Sequence, residues 1–582
     1  RVPPVVYLWT TGIELLVILG GTLYRVLQLA RGGAAVAEMV GARPVSPATE
    51  DAAERRLLNV VEEMAIASGT AVPRVYLMEE GGINAFAAGY SPNEAVIAVT
   101  RGALDGLDRD RLQGVVAHEF SHILNGDMRL NIRLLGVLNG ILVIGAMGLH
   151  ILRGMGRGRI RSRGRGSGQA MLLILGFGLA LTVIGFAGVF CGRLIKSGVS
   201  RQREFLADAA AVQYTRNPAG IAGALRAILE GQSGSLVGNR HAEDLSHMFF
   251  AEGFRSRLGS WLATHPPLTE RIARIDPRLL AQGSKDSAEA ATTVETSPGV
   301  STLAGQSSGS LAPAAVVASV GQLAPSRLAL AATLTDRIPE RLRRALRTDV
   351  GASGVVLALL LHRDPVAREA QLAAMRAVRD PRSLTSILQR RQEIEVLGPE
   401  LRLPLLELAL PVLGELGTEA RQTLLAEVRA VVTADNKVSL AEFVVQTLLR
   451  HQIGPGAGRA TPIRYRVMEP LLTDCGLLLS LLAHGSRMPM DARREAYGIA
   501  MGRLGVAGAS LLDPKDCGLD AVEHALGRLR GAAPAIKQRF LEAGAAIVLA
   551  DGVVKTPELE LLRALSMVLD CPMPPLETAL GA

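Results

Sequence analysis

The sequence predicts a mainly α-helical protein with a small β-sheet, in which a domain carrying transmembrane helices precedes an all-α C-terminal domain. Three observations predict it: two long apolar runs free of charge, three short β-compatible segments between residues 74 and 100, and helical patterning from Arg327 onward. The 582 residues leave room for several domains. Hydrophobic residues make up 48% and charged residues 20%, which excludes a disordered chain and favours a membrane component. Four cysteines exclude a disulfide scaffold.

The net charge of +8 would point to nucleic acid if it were spread over the surface, but it is local. Between Asp127 and Glu204 there is no acidic residue and there are twelve basic ones, leaving 51 basic against 55 acidic residues elsewhere. No nucleic-acid partner is therefore expected. The arginine- and glycine-rich stretch 153–165 lacks interleaved aromatics and reads as a short loop at lipid headgroups.

Taken in order, residues 1–44 hold an apolar segment at 5–24, weakened as a membrane span by Glu14, since a carboxylate there costs about 2.5–3.5 kcal/mol on insertion. No basic leader precedes it and no small-residue cleavage site follows, so a membrane helix is expected rather than a cleaved signal. Residues 45–280 form the next unit, interrupted by a transmembrane hairpin at 134–152 and 170–192, two runs long enough to cross a bilayer. Before the hairpin an amphipathic helix is expected over 52–67, with Leu57, Leu58, Val61, Met64 and Ala65 on one face and Gly69 as its stop. Strands follow at 74–78, 84–89 and 95–100, the last two joined by the turn Ser91-Pro92-Asn93. Residues 281–326, rich in Ser, Ala, Thr and Gly without a period, read as a flexible linker, and 327–582 as a helical domain. Within it Asp435 and Glu442 repeat the spacing of Asp551 and Glu558. That pattern is too poor in ligands for a twelve-residue calcium loop and reads as a helix–turn–helix.

The chemistry is concentrated in His118-Glu119-Phe120-Ser121-His122, an HExxH motif. Asp108 can cap a helix whose stripe is Leu112, Val115, Val116, Ile123 and Leu124, with Asn125-Gly126 as its stop. On that helix His118 and His122 lie one turn apart and can share a Zn²⁺, one per chain. Glu119, rotated by about 100°, can address a metal-activated water. A hydrolytic zinc commonly takes a third protein ligand, and no histidine stands six residues beyond His122. Glu204 is the best candidate by spacing, because Asp208 shares its helical face and can orient one of the histidines. His241 and His247 stay open as residues near a segment that returns to the site, whereas His150, His362, His451, His484 and His524 read as helix or surface residues.

These residues resemble the integral-membrane zinc metallopeptidases typified by the heat-shock protease HtpX and, more distantly, the CAAX prenyl-protein endopeptidases. The resemblance covers about residues 1–280. It rests on Asn84-Ala85-Phe86-Ala87-Ala88-Gly89, the HExxH helix with Asn125-Gly126-Asp127, the apolar hairpin, Arg203-Glu204-Phe205 with Ala207-Asp208, and Thr264-His265-Pro266-Pro267-Leu268 with Arg271-Ile272. It implies a gluzincin-type domain with His118, His122 and Glu204 as zinc ligands, Glu119 as general base and Asp208 as the orienting carboxylate. It also implies that His265 and Arg271 stabilise the oxyanion, although Pro266 and Pro267 equally suit a helix start. Asn84, Ala85, Phe86 and Ala87 would belong to an edge strand that aligns an extended polypeptide substrate, or to an ordinary hairpin strand. The C-terminal region resembles TerB-like helical domains.

The expected function is membrane-bound zinc-dependent endopeptidase action on unfolded or membrane proteins. The alternative is a membrane-anchored interaction protein with a regulatory or inactive protease half. A lipid bilayer and a protein partner of the C-terminal domain are the other expected partners. The resemblance to HtpX implies a bacterial inner membrane with a cytoplasmic catalytic face, and two crossings return His122 and Glu204 to one side of it.

Overall fold

The computed structural model describes residues 4–575 apart from 30–31, 158–166, 233, 240–244, 246–247, 253–264, 280–312, 319, 322, 436–437, 456, 458–460 and 553–554. His241, His247, Thr264, the loop 158–166 and most of the expected linker lie outside the described residues.

The elements of the first half are α1 (Pro4–Gln28), α2 (Gly33–Met39), β1 (Arg43–Pro44), α3 (Ala52–Ser68), β2 (Arg74–Met78), β3 (Ala85–Ala88), β4 (Val96–Thr100), α4 (Arg101–Gly106), α5 (Arg109–Asn125), α6 (Asp127–Arg157), α7 (Ser167–Thr215), α8 (Pro218–Glu230) and α9 (Leu268–Ile275). Capping chemistry sets the key boundaries. Asp51 accepts from the Ala53 and Glu54 N–H groups to start α3, and Gly69, at φ 70°, ends it.

The strands lie in the order β1-β2-β4-β3, with β2 and β4 parallel and the other neighbours antiparallel. Their side chains alternate strictly. Val75, Leu77, Ala85, Ala87, Ile97 and Val99 enter the core shared with α3 and α5, while Tyr76, Met78, Phe86, Ala88, Val96 and Ala98 enter a second core with α2. Burial on both faces explains why β4, five residues long, is apolar from Val96 to Val99, with only Thr100 polar at its end. β3 is left at the edge of the sheet.

Helices α6 and α7 form the hairpin, and α1 packs along α6. Close approach depends on glycine: a Cβ on Gly185 would come within 2.3 Å of the Gly145 N, and one on Gly140 within 2.6 Å of the Ile18 carbonyl. Two helices, Asp127–Gly154 and Ile174–Gly192, are long and apolar enough to cross a membrane. Leu172, Leu179, Val183 and Phe190 point outward, exposed. α7 runs on without a break for 49 residues, about 74 Å at 1.5 Å per residue, from the apolar run to Glu204 and Asp208.

Beyond α9 the described residues are mainly helical. Helix returns at Pro313–Ala318, inside the segment expected to be linker, because Val316 and Val317 are buried in the C-terminal core. The next helix, Pro325–Asp336, straddles the expected domain boundary and places Leu328 and Ala331 in the core of the first half. The two halves also meet through Asn93, whose Nδ2 donates to the Met567 carbonyl (2.8 Å) and Asp570 (2.9 Å), and through Arg347, which donates to Asn59 at 2.8 Å. The repeated carboxylates of this region are occupied by protein donors. Glu442 closes a capping box with Ser439 and accepts from Gln371, and Glu558 accepts from the Arg487 N–H.

Candidate metal centre

α5 begins at Asp108, which accepts from the Arg111 N–H at 2.9 Å, and ends at Gly126. There the backbone is left-handed (φ 73°), so the chain turns at once into α6 and brings Asp127 back beside His122. Gly114 lets α8 pack against the helix at close range, since a Cβ there would lie 2.6 Å from the Ile221 N.

His118 and His122 point their Nε2 atoms at one another across 3.2 Å. Glu204 reaches in from α7, with Oε1 3.6 Å from His122 Nε2 and Oε2 3.7 Å from His118 Nε2. One ligand atom from each residue therefore lies within 4.8 Å of the other two. Ligands at the 2.0–2.1 Å typical of zinc would stand about 3.3–3.4 Å apart on a tetrahedron, so the observed spacings suit such an ion. The far side of each ring agrees. His118 Nδ1 is 3.0 Å from Asp208 and His122 Nδ1 is 2.9 Å from Asp127, so each ring turns its Nδ1 side to a carboxylate and its Nε2 inward. Two inward Nε2 atoms and a buried carboxylate are a zinc donor set, so the residues present fit a metal.

Glu119 is buried beside the cluster, and neither of its carboxylate oxygens makes a hydrogen bond of normal geometry among the described residues. Burial pushes its carboxyl up to about 7 against the pull of His122. Glu204 behaves oppositely. Burial would raise it, but His265, with Nδ1 3.0 Å from Oε2, and Arg271, at 3.4 Å, hold it down at about 2. Asp208 is likewise buried yet held well below the usual carboxylate range by Arg271, which donates to it through Nε (2.8 Å) and Nη2 (2.6 Å). The third arm of Arg271 donates to the Phe250 carbonyl at 2.6 Å. Expected at the oxyanion, this guanidinium is instead committed to protein acceptors.

The Asn84 side chain is similarly committed: Nδ2 donates to the carbonyls of Ser235 (2.8 Å) and Ala251 (3.0 Å), and Oδ1 accepts from the Ala251 and Ala85 N–H groups. Phe86 packs edge-on against Phe249 across the outer side of β3. His362, His451 and His484 lie elsewhere, bonded or close to Asp364, Asn93 and Leu512 respectively.

Sequence reasoning assigned no role to Asp127, Arg203 or Phe250. Asp127 accepts from Arg203 of α7 as well as facing His122, and the Phe250 ring stands edge-on to His118 with centroids 5.0 Å apart. The Asn-Gly-Asp string after the motif was the available signal for Asp127, since a left-handed glycine folds the next side chain back. Nothing local marked Phe250.

The profile of peptidase family M48 matches residues 51–279. A protease HtpX homolog of Streptococcus gordonii is 32% identical over 274 residues, 46% of this chain and 88% of the relative. One from Streptococcus thermophilus is 36% identical over 278 residues, again 46% and 88%. One from Dictyoglomus thermophilum is 37% identical over 219 residues, 38% of this chain and 68% of the relative. No solved structure matches the chain.

Proposed function

The chain belongs to peptidase family M48 and is a metalloprotease, and from that premise we propose a membrane-embedded endopeptidase that uses one zinc ion to cleave unfolded or membrane polypeptides. The observation that carries this reading is the convergence of His118, His122 and Glu204, with the Glu119 carboxylate buried beside them. Zinc bound there would acidify a water and polarise the scissile carbonyl. Glu119 then takes the proton of the attacking water on a carboxylate oxygen and passes it to the departing amine. Its raised proton affinity suits both halves of that shuttle. Asp208 and Asp127 hold the two rings with Nε2 facing inward. His265 touches the Glu204 carboxylate and is the nearer of the two expected oxyanion groups, whereas Arg271 acts as a positioning residue.

α6 and α7 would set the site at the bilayer surface, because Asp127 opens α6 and Glu204 follows the apolar run of α7. We place the catalytic face in the cytoplasm, and a reporter fused after Pro277 that is active only outside it would reverse that. The test of the activity is casein cleavage by the purified chain beside Glu119→Gln. A folded, zinc-loaded variant slower by at least about 100-fold is expected. Undiminished cleavage by that variant would remove Glu119 from the mechanism.

A further inference from the structure

Phe250 closes a circuit of contacts around His118. His118 Nδ1 is 3.0 Å from Asp208, Arg271 donates to both oxygens of Asp208, and its Nη1 donates to the Phe250 carbonyl at 2.6 Å. The Phe250 ring completes the path. The Arg271 guanidinium lies over it, 4.8 Å from its centroid, and the His118 ring stands nearly perpendicular to it (89°) with centroids 5.0 Å apart. Both arrangements are attractive, because an aromatic ring is negative on its face and positive at its edge.

The two histidines are supported unequally. Each has a carboxylate at Nδ1 and an arginine behind that carboxylate: Asp127 with Arg203 for His122, and Asp208 with Arg271 for His118. The His122 and Arg203 side chains are 14% and 36% exposed, whereas those of His118 and Arg271 are 0% exposed. An ion pair withdrawn from water is stable only where its remaining donors find acceptors. On the His118 side Phe250 meets that need twice, with its carbonyl and with its ring. Phe249 is the contrast: it is also buried, but its ring pairs with Phe86, 5.6 Å away, in the core on the other side of the sheet.

We propose that Phe250 is a positioning residue of the metal centre, its aromatic ring keeping His118 and the Arg271–Asp208 pair in the arrangement that binds the ion. The inference rests on the zinc reading of the site and extends it to a residue outside the two helices that carry the ligands. The backbone N–H and carbonyl of residue 250 remain whatever side chain it carries, so substitution isolates the part played by the ring.

The test uses the full chain with Phe250→Leu and, as control, Phe249→Leu, the same change on the neighbouring residue. Zinc affinity is measured by chelator competition, the visible spectrum of the cobalt-substituted protein reports ligand geometry, and a denaturant midpoint of the metal-free protein gives the loss of packing. Phe250→Leu should bind zinc about tenfold more weakly or worse and shift the cobalt bands, as for other groups that orient a metal-bound histidine. Phe249→Leu should stay within about twofold of the wild type in affinity while both variants lower the midpoint. Affinity of Phe250→Leu within about twofold of the wild type would overturn the proposal, and so would an equal loss in Phe249→Leu, because packing alone would then account for it. Should Phe250→Leu not fold, Phe250→Met takes its place, since an unbranched side chain fills the space of the ring without its π-system. The same loss is expected of it, and wild-type affinity would again overturn the proposal. A wild-type chain that binds zinc but cleaves no peptide would sink the peptidase reading and leave the affinity comparison to decide the role of Phe250; one that binds no zinc would sink both.

Discussion

Asp127 shows how much of the centre rests on a residue that is not itself one of the three candidate ligands. It holds the Nδ1 side of His122 and is held in turn by Arg203, so it joins the ring to both helices of the hairpin. Removing its charge weakens the preference for the Nδ1–H tautomer that leaves Nε2 free. We expect Asp127→Asn to lower zinc affinity by about 10–100-fold in chelator competition while the protein stays folded. An unchanged affinity would show that His122 needs no such orientation. Sequence pattern exposed His118, Glu119 and His122 directly, because one helical turn separates the two histidines. It exposed Glu204 only as a candidate, and Asp127 hardly at all, since its role depends on the turn that Gly126 makes.

At the scale of elements, the helix at 52–67, the three strands and the helix capped by Asp108 were legible because period and caps are local signals. β1, two residues long, and the pairing of Phe249 with β3 were not, because such contacts are set by tertiary packing. The same physics makes α5 sensitive to its neighbours. A methyl on Gly114 would meet backbone atoms of Gly220 and Ile221 within 2.9 Å, and backbone cannot step aside as a side chain can. Gly114→Ala should therefore destabilise the first half by about 1–3 kcal/mol, despite the higher helix propensity of alanine. A denaturant midpoint equal to or above that of the wild type would refute the close α5–α8 contact.

For the whole molecule, the C-terminal helices are docked on the protease half rather than hung from it, and they carry their own buried charge. Glu407 is 0% exposed, 3.2 Å from Arg563, and burial pushes it up to about 7. Its folded value thus lies above the ordinary 4.5, so the folded state holds a proton the unfolded chain has lost. The stabilisation is complete below about 4.5, declines as pH rises towards 7 and is then gone, a change on the order of 3 kcal/mol. Melting temperatures across that window should fall less steeply in Glu407→Gln; an identical slope would assign the proton elsewhere. The helical character of this half was legible from composition and period. Its linker was expected to extend to 326, whereas Pro313–Ala318 is already helical, because a short Ala- and Val-rich helix scarcely differs from the Ala-rich segment around it.

A metal count decides whether the three ligands act together. Purified wild-type chain should hold one zinc, and Glu204→Ala should bind it at least tenfold more weakly while its helical signal is retained. Equal zinc affinity in the two proteins would contradict the centre described, because the third ligand would then come from another residue.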